Sequence, residues 1–296
     1  MPSENNPVLM QLLAERSQSH KTRKDLFVEL EKELGRPVVS FYTSFVHPVV
    51  IEDSDVDMIG SLLQMMDLSK GFVLMINSPG GDALAAERMI NACRSYSGTG
   101  EYWAIIPGQA KSAATMICFG ASKILMGATS ELGPVDPQMP IGIQERNVRF
   151  VSAHHIVESY KNLFNGAENA TGNLEPYLQQ LSYYDPREMA QIESTIEFSE
   201  DLSIKALSSG MMDGIDQEEI RNKIEMFLTP KETKTHGRPI YLSEAEKCGL
   251  IVERIETASK LWELAQGLHI RSASFVNREV AKCVENKDES FVVGWE

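Results

Sequence analysis

A Gly-Gly turn and a downstream serine could form two parts of one catalytic site. Gly80 and Gly81 break an apolar run, and glycine leaves the backbone free to point N–H groups at a ligand. Ser112 stands before Ala113 and Ala114 at the predicted start of a helix, where the positive helix end and small neighbours favour a nucleophile. Backbone donors that face a serine hydroxyl would form an oxyanion hole opposite a nucleophile.

Each turn also has a simpler explanation when it is taken separately. The two glycines could form only a tight turn, and Ser112 could be only a helix N-cap. Both features occur within residues 72–138, and their combination favours the catalytic interpretation.

Two strand–turn–helix units carry these turns. Residues 72–76 form an unbroken apolar run, which predicts a strand covered on both faces, and helical periodicity begins at residue 82. Residues 102–106 predict a second strand, and residues 112–119 predict a second helix. Two such units in series predict a parallel sheet with right-handed crossovers, whose turns open together at its carboxyl edge.

Apolar runs and periodicity predict the remaining elements. They are strands at residues 38–42, 123–126 and 143–153, helices at 51–66, 154–164, 186–210 and 216–228, and polar loops at 165–173 and 229–238.

Three longer motifs carry a family resemblance. They are INSPGGDALAAERM, KSAATMICFGASKILMGATSELGPVDPQ and the closing segment YLSEAEKCGLIVERI. Together they resemble the Clp protease and signal peptide peptidase superfamily, which shares the crotonase-type fold. The motif LGPVDPQ is most similar to the serine dehydrogenase proteinase family. The resemblance covers approximately residues 38–255.

The resemblance implies both a fold and an activity. The fold would be α/β, a repeated β-β-α superhelix with a parallel sheet, a helical arm and an N-terminal helical extension. The activity would be peptide-bond hydrolysis through an acyl-enzyme on Ser112. The backbone N–H groups of Gly81 and Ala113 would stabilise the oxyanion, with Gly80 in the same turn.

The resemblance also suggests the partners of the serine. Where Clp proteases have a histidine after the serine, this chain has Asp136, and where they have an aspartate before the closing turn, it has His236. The order serine, aspartate, histidine is the one credited to the serine dehydrogenase proteinases, and triads are defined by geometry rather than chain order. Asp136 could instead cap a turn between two prolines, and His236 could be an ordinary surface histidine.

A lysine is the alternative base. Signal peptide peptidases use a lysine from the arm, and Lys161 occupies that window here. It would need burial to lower its pKa, yet its sequence neighbours are polar. Lys111, beside the serine, is predicted to be a surface charge. Two further hypotheses are a thioester-binding member of the fold without a serine nucleophile, and a catalytically silent member.

Composition limits the partners. The chain has 296 residues and a net charge of −14, which argues against nucleic acid as a partner. We predict no metal and no cofactor, no signal peptide and no membrane span. We predict a cytoplasmic homo-oligomer that acts on peptides or unfolded proteins.

The chain has four cysteines, which are Cys93, Cys118, Cys248 and Cys283. They are far apart and none forms a C-x-x-C pair, so neither zinc nor a disulfide framework is expected.

The same pattern predicts three regions. Residues 1–37 would form an N-terminal helical arm, with its helix or helices within 7–34, and residues 38–256 would form the catalytic domain. Residues 141–210 would be a helical arm inserted in that domain, and residues 257–296 would form a final helix and a tail.

Overall fold

A seven-stranded sheet lies at the centre of the molecule. The computed structural model describes residues 20–141 and 149–294. In spatial order, with labels numbered along the chain, the strands are β11 (Ser290–Val293), β10 (Lys282–Glu285), β1 (Val38–Thr43), β2 (Phe72–Asn77), β3 (Tyr102–Ile106), β5 (Lys123–Met126) and β9 (Val252–Arg254). The pairs from β1 to β9 are parallel, and the parallel sheet and its first four strands are therefore confirmed.

Two small sheets lie outside the central one. Strand β4 (Gln109–Ala110) pairs in parallel with β6 (Glu131–Leu132), and β7 (Gln138–Ile141) pairs antiparallel with β8 (Arg149–Ser152). The strand predicted at residues 143–153 corresponds to β8, and its first part lies outside the described residues.

Twelve helices surround the sheets in the described ranges. They are α1 (Lys21–Leu34), α2 (Asp53–Gln64), α3 (Ala83–Tyr96), α4 (Ala113–Phe119), α5 (Ala153–Glu168), α6 (Glu175–Leu181), α7 (Pro186–Ser208), α8 (Gln217–Lys223), α9 (Glu225–Leu228), α10 (Pro230–Thr233), α11 (Leu242–Lys247) and α12 (Lys260–Val276). Within these ranges, no helix combines the length and the hydropathy that crossing a bilayer requires.

The central sheet has an apolar core on each face. Along β2, Phe72, Leu74 and Ile76 pack into the core beneath α2, α3 and α4. Val73 and Met75 point the other way, into the core formed with α1 and α12. All five side chains are fully buried, and burial of each contributes roughly 1.5–3 kcal/mol. This two-sided burial explains the unbroken apolar run in the sequence.

The end of the chain joins the central sheet. The sequence predicts a helix and a tail for residues 257–296, and the helix is confirmed as α12. The segment after it is not a tail, because β10 pairs antiparallel with β1 and β11 pairs with β10. Lys282 of β10 is 2% exposed, and its Nζ lies 2.8 Å from Glu52 Oε1 and 3.0 Å from Asp55 Oδ2. The ion pair with the buried Asp55 therefore makes this polar segment compatible with the sheet.

Helices α5, α6 and α7 form the helical arm. The helices predicted at 154–164 and 186–210 are confirmed. The loop predicted at 165–173 starts later than expected, because α5 continues to Glu168. Helix α6 has no counterpart among the predicted elements. The Ser199 hydroxyl of α7 donates to the Val135 carbonyl at 2.8 Å, which ties the arm to the loop before Asp136. The arm has its own apolar cluster: Ala153, Val157, Met189, Ile192 and Ile196.

Smaller differences occur at two other places. The helix predicted at 216–228 is divided into α8 and α9, and the loop predicted at 229–238 contains the short helix α10. The N-terminal helix predicted within 7–34 is observed as α1, and residues 7–19 lie outside the described residues.

Candidate active site

Ser112 lies in a sharp turn between β4 and α4. Its backbone has φ 50° and ψ −121°. In the described part of the chain, Ser112 and Lys234 are the two non-glycine residues with positive φ. Such a conformation costs on the order of 1–3 kcal/mol and is found where a strand-to-helix turn presents a nucleophile. The turn thus holds a half-buried serine at the start of a helix.

Backbone hydrogen bonds fix the serine turn beside the Gly-Gly turn. The Ser78 N–H donates to the Gln109 carbonyl at 2.9 Å, and the Lys111 N–H donates to the Ser78 carbonyl at 3.0 Å. These bonds form a parallel bridge between Ser78 and Ala110. The two turns therefore lie side by side, as the order of the strand–turn–helix units predicts.

The side chain of Lys111, the residue before Ser112, anchors the serine turn to β6. Its side chain is 12% exposed, and its Nζ lies 2.7 Å from Glu131 Oε1. The same Nζ donates to the Leu132 carbonyl at 3.2 Å. The prediction that Lys111 is a surface charge is wrong, because β6 supplies a carboxylate and a carbonyl for it. A Cβ atom on Gly133 would lie 2.5 Å from Lys111 Cδ, so glycine leaves room for this lysine.

Both glycines of the facing turn are required by close contacts. Gly80 has φ 103°, and a Cβ atom there would lie 2.7 Å from Ser112 Cβ and 3.1 Å from the Ala113 nitrogen. A Cβ atom on Gly81 would lie 2.3 Å from both the nitrogen and the oxygen of Ile51. The Gly80 backbone is therefore in direct contact with the serine turn.

Two backbone N–H groups in these turns remain available. The Gly80 N–H donates to Ser78 Oγ at 3.2 Å. The N–H groups of Gly81 and Ala113 have no hydrogen-bond acceptor within residues 20–141 and 149–294. Of the candidate oxyanion residues, Gly80 shapes the turn, while Gly81 and Ala113 keep free donors.

His236 and Asp136 form a direct pair. His236 Nδ1 lies 2.7 Å from Asp136 Oδ1. The Asp136 side chain is fully buried, and the His236 side chain is 26% exposed. If Nδ1 carries the proton toward the carboxylate, Nε2 is the unprotonated nitrogen that can accept a proton. This is the relation between base and orienting acid in a catalytic triad.

A backbone ladder brings these distant segments together. Leu132 and Ile240 exchange two hydrogen bonds, each of 2.9 Å, and the Val135 N–H donates to the Phe227 carbonyl at 2.8 Å. The chain on both sides of His236 is thereby held against the segment that carries Asp136.

Ser112 and His236 line the same cavity, which has a volume of about 590 Å³. Gly80, Gly81 and Ala113 also line it. The volume lies within the range of roughly 300–1,000 Å³ typical of ligand pockets. Its walls are mostly apolar, and the larger side chains are Val50, Leu84, Met116, Val135, Phe150 and Phe198.

The alternative base lies on the exposed surface of the arm. The Lys161 side chain is 62% exposed, and its Nζ lies 3.2 Å from Glu193 Oε1. Lys161 is not among the residues that line the cavity with Ser112.

All six histidines belong to the described residues, and His236 is the one that lines this cavity. Burial lowers the pKa of His269 to about 4. Burial also lowers the pKa of His154, although the charge of Asp136 acts in the opposite direction. Both groups therefore favour the neutral form.

One residue of the candidate site, Gln138, does not stand out in the sequence. Gln138 Nε2 donates to Asp136 Oδ2 at 2.9 Å, and Gln138 lines the cavity. The only signal was its place at the end of the motif LGPVDPQ.

The parallel sheet and the serine turn packed on a Gly-Gly turn are features of a ClpP-like α/β protein. Residues 21–152, a little under half of the chain, match the model of the ClpP-like SDH-type serine proteinases. The resemblance carried by the sequence motifs is confirmed there. The match includes Ser112 and Asp136 and ends before Lys161 and His236.

Two proteins of Methanocaldococcus jannaschii, both described as uncharacterized, are similar to this chain. MJ0137 is 36% identical over 105 residues, which is 36% of this chain and 33% of the relative. MJ1495 is 34% identical over 106 residues, which is 36% of this chain and 32% of the relative. The matches thus span about a third of the length of these relatives.

Two solved structures of the 1510-N membrane-bound stomatin-specific protease were also found. One, in complex with a substrate peptide, is 16% identical with a TM-score of 0.29, and covers 75% of this chain and 93% of that one. The other is 15% identical with a TM-score of 0.30, and covers 69% and 92%. Similarity at this level supports no residue-by-residue correspondence.

Proposed function

We propose that this protein hydrolyses peptide bonds through an acyl-enzyme on Ser112. His236 accepts the hydroxyl proton while Oγ attacks the carbonyl carbon, and Asp136 stabilises the imidazolium that forms. The N–H groups of Gly81 and Ala113 donate to the oxyanion. When the C–N bond breaks, His236 gives its proton to the leaving amine. A water molecule, activated by the same histidine, then releases the acid.

The pair between His236 and Asp136 carries this proposal. A buried carboxylate 2.7 Å from Nδ1 sits behind a histidine that shares a cavity with Ser112. The family match supports the class of enzyme, and the free N–H groups in the two turns support the oxyanion hole. The order of the triad in the chain would be serine, aspartate, histidine.

A serine–lysine dyad is the competing mechanism. A lysine base must lose its proton near neutral pH, which requires a desolvated amine. The exposure of Lys161 and its pairing with Glu193 favour the histidine.

Covalent labelling of the wild type by a fluorophosphonate is the first test. We expect one labelled site, identified by mass spectrometry of peptides as Ser112. A folded chain without label at Ser112 would exclude an activated serine and favour the thioester-binding or catalytically silent alternative.

Two variants then identify the base. We expect His236→Gln to lose labelling by a factor of about 10³ or more, and Lys161→Met to keep it. Normal labelling of His236→Gln together with loss in Lys161→Met would instead support the dyad. Circular dichroism of both variants controls for folding.

Three proposals concern the surroundings of the enzyme. Peptides or unfolded proteins would be its substrates, and the apolar cavity walls fit uncharged side chains.

We also propose a homo-oligomer, since the arm exposes Phe164, Leu178 and Tyr183. The four buried thiols fit a cytoplasmic location. Light scattering after gel filtration tests the oligomer, and a monomeric mass at micromolar concentration would contradict it.

A further inference from the structure

The buried carboxylate of Asp136 has a different partner on each oxygen. Oδ1 contacts His236 Nδ1 at 2.7 Å, and Oδ2 accepts a hydrogen bond from Gln138 Nε2 at 2.9 Å. The Asp136 residue is 1% exposed, so water has little access to either oxygen. A buried carboxylate oxygen without a donor would be costly, and Gln138 removes that cost.

We propose that Gln138 is the positioning residue of the triad: its amide fixes the plane of the Asp136 carboxylate so that Oδ1 faces His236. This inference rests on the proposed function. With a single partner on Oδ1, the carboxylate could rotate about its Cβ–Cγ bond. A second donor on Oδ2 restricts that rotation and keeps the imidazole in one orientation.

The backbone around Gln138 is well placed for this role. Gln138 begins β7 and pairs with Ser152 of β8, and the Ala153 N–H donates to the Pro137 carbonyl at 2.9 Å. The side chain is thus attached to a paired strand that starts two residues after the carboxylate. Gln138 also lines the cavity, so a substrate in the cavity would contact the residue that orients the acid.

The amide is chemically suited to the position. A lysine or arginine on Oδ2 would satisfy the oxygen but would also offset the negative charge that stabilises the imidazolium of His236. A neutral donor orients the carboxylate and leaves its charge available to the histidine.

Replacement of the amide tests the inference. Gln138→Met keeps the length of the side chain and removes the donor, and Gln179→Met makes the same change on the exposed helix α6. We expect the maximal rate of fluorophosphonate labelling to fall at least about tenfold in Gln138→Met, with little change in the half-saturating concentration. The control should label at the wild-type rate.

A spectroscopic readout separates positioning from general stability. The proton between His236 Nδ1 and Asp136 should give a downfield NMR signal in the wild type, which we expect to broaden or disappear in Gln138→Met. If this variant does not fold, Gln138→Asn, whose amide is one methylene closer to the backbone, replaces it. Wild-type labelling and an unchanged downfield signal in the folded variant would overturn the inference.

The outcome also separates this inference from the proposed function. If the wild type is not labelled at Ser112, or if Asp136→Asn is labelled normally, the triad itself fails. If Asp136→Asn is impaired and Gln138→Met is not, only the role of Gln138 fails.

Discussion

Nδ1 of His236 lies 2.7 Å from Oδ1 of Asp136, although 100 residues separate the two positions in the chain. Asp136→Asn should keep the shape of this pair and reverse its polarity, because the amide can donate to Nδ1. The proton would then sit on Nε2, where the base must be free. We expect turnover to fall by about 10⁴.

The rate of fluorophosphonate labelling at Ser112 measures the loss of activity in Asp136→Asn, and the midpoint of thermal unfolding measures its stability. Unfolding should change little, since the variant is isosteric. Labelling within tenfold of the wild type would contradict the role of Asp136.

The strained backbone of Ser112 predicts that Ser112→Gly and Ser112→Ala differ in stability. Because φ is 50° there, glycine adopts the conformation at lower cost than alanine. Ser112→Gly should therefore have a free energy of unfolding about 1 kcal/mol higher than Ser112→Ala. Urea unfolding curves measure the difference. Equal stabilities would mean that the turn relaxes without cost.

Gly81 should be intolerant of even a methyl group. A Cβ atom there would lie 2.3 Å from the backbone of Ile51, whereas a Cβ atom on Gly172 has nothing within 4 Å. We expect Gly81→Ala to destabilise the protein by about 2 kcal/mol or more and Gly172→Ala to change stability by less than about 0.5 kcal/mol. Thermal unfolding of both variants tests this. Equal midpoints would show that the Ile51 segment can move aside.

Lys282 should be essential for docking the antiparallel pair of β10 and β11 against α2. Lys282→Met leaves Asp55 buried without its cation, which we expect to cost about 3–5 kcal/mol. The double variant with Asp55→Leu removes both charges and should recover most of this loss. Chemical denaturation of the single and double variants forms the test. A stable single variant would mean that Asp55 is neutral in the fold.

His269 predicts a loss of stability in acid. Burial lowers its pKa to about 4, below the value of about 6.5 in an unfolded chain. Between these values the unfolded state binds more protons, so stability falls as pH decreases through this window. The expected loss is about 2 kcal/mol between pH 7 and pH 5.

His269→Gln should remove that part of the pH dependence. Urea unfolding at pH 7 and pH 5 compares the two proteins. An identical loss in the variant would assign the acid sensitivity to other groups.

The sequence predicts those parts of the fold that depend on local patterns. The apolar run from Phe72 to Ile76 identifies β2 because both faces of that strand are buried. By contrast, β10 contains Lys282 and Glu285, which are polar and yet buried. Its place in the sheet depends on Asp55 and Arg23, which lie far away in the sequence. No local pattern indicates such pairing.

The same limit applies to the candidate site. Ser112 and the two glycines are visible because turn chemistry depends on neighbouring residues. The family pattern rather than local physics indicates Asp136 and His236, and nothing in the sequence singles out Gln138. A hydrogen bond to a carboxylate leaves no trace in periodicity. Contacts across the fold decide whether Lys111 is exposed or anchored.

The backbone bonds between Leu132 and Ile240 have a consequence for the newly made protein. Synthesis proceeds from the N-terminus, and a domain folds as a unit. A nascent chain that has just exposed Leu132 lacks the strand partner that holds the His236 segment in place. Under the proposed mechanism, such a chain would have Ser112 without its base and could not yet cleave peptides.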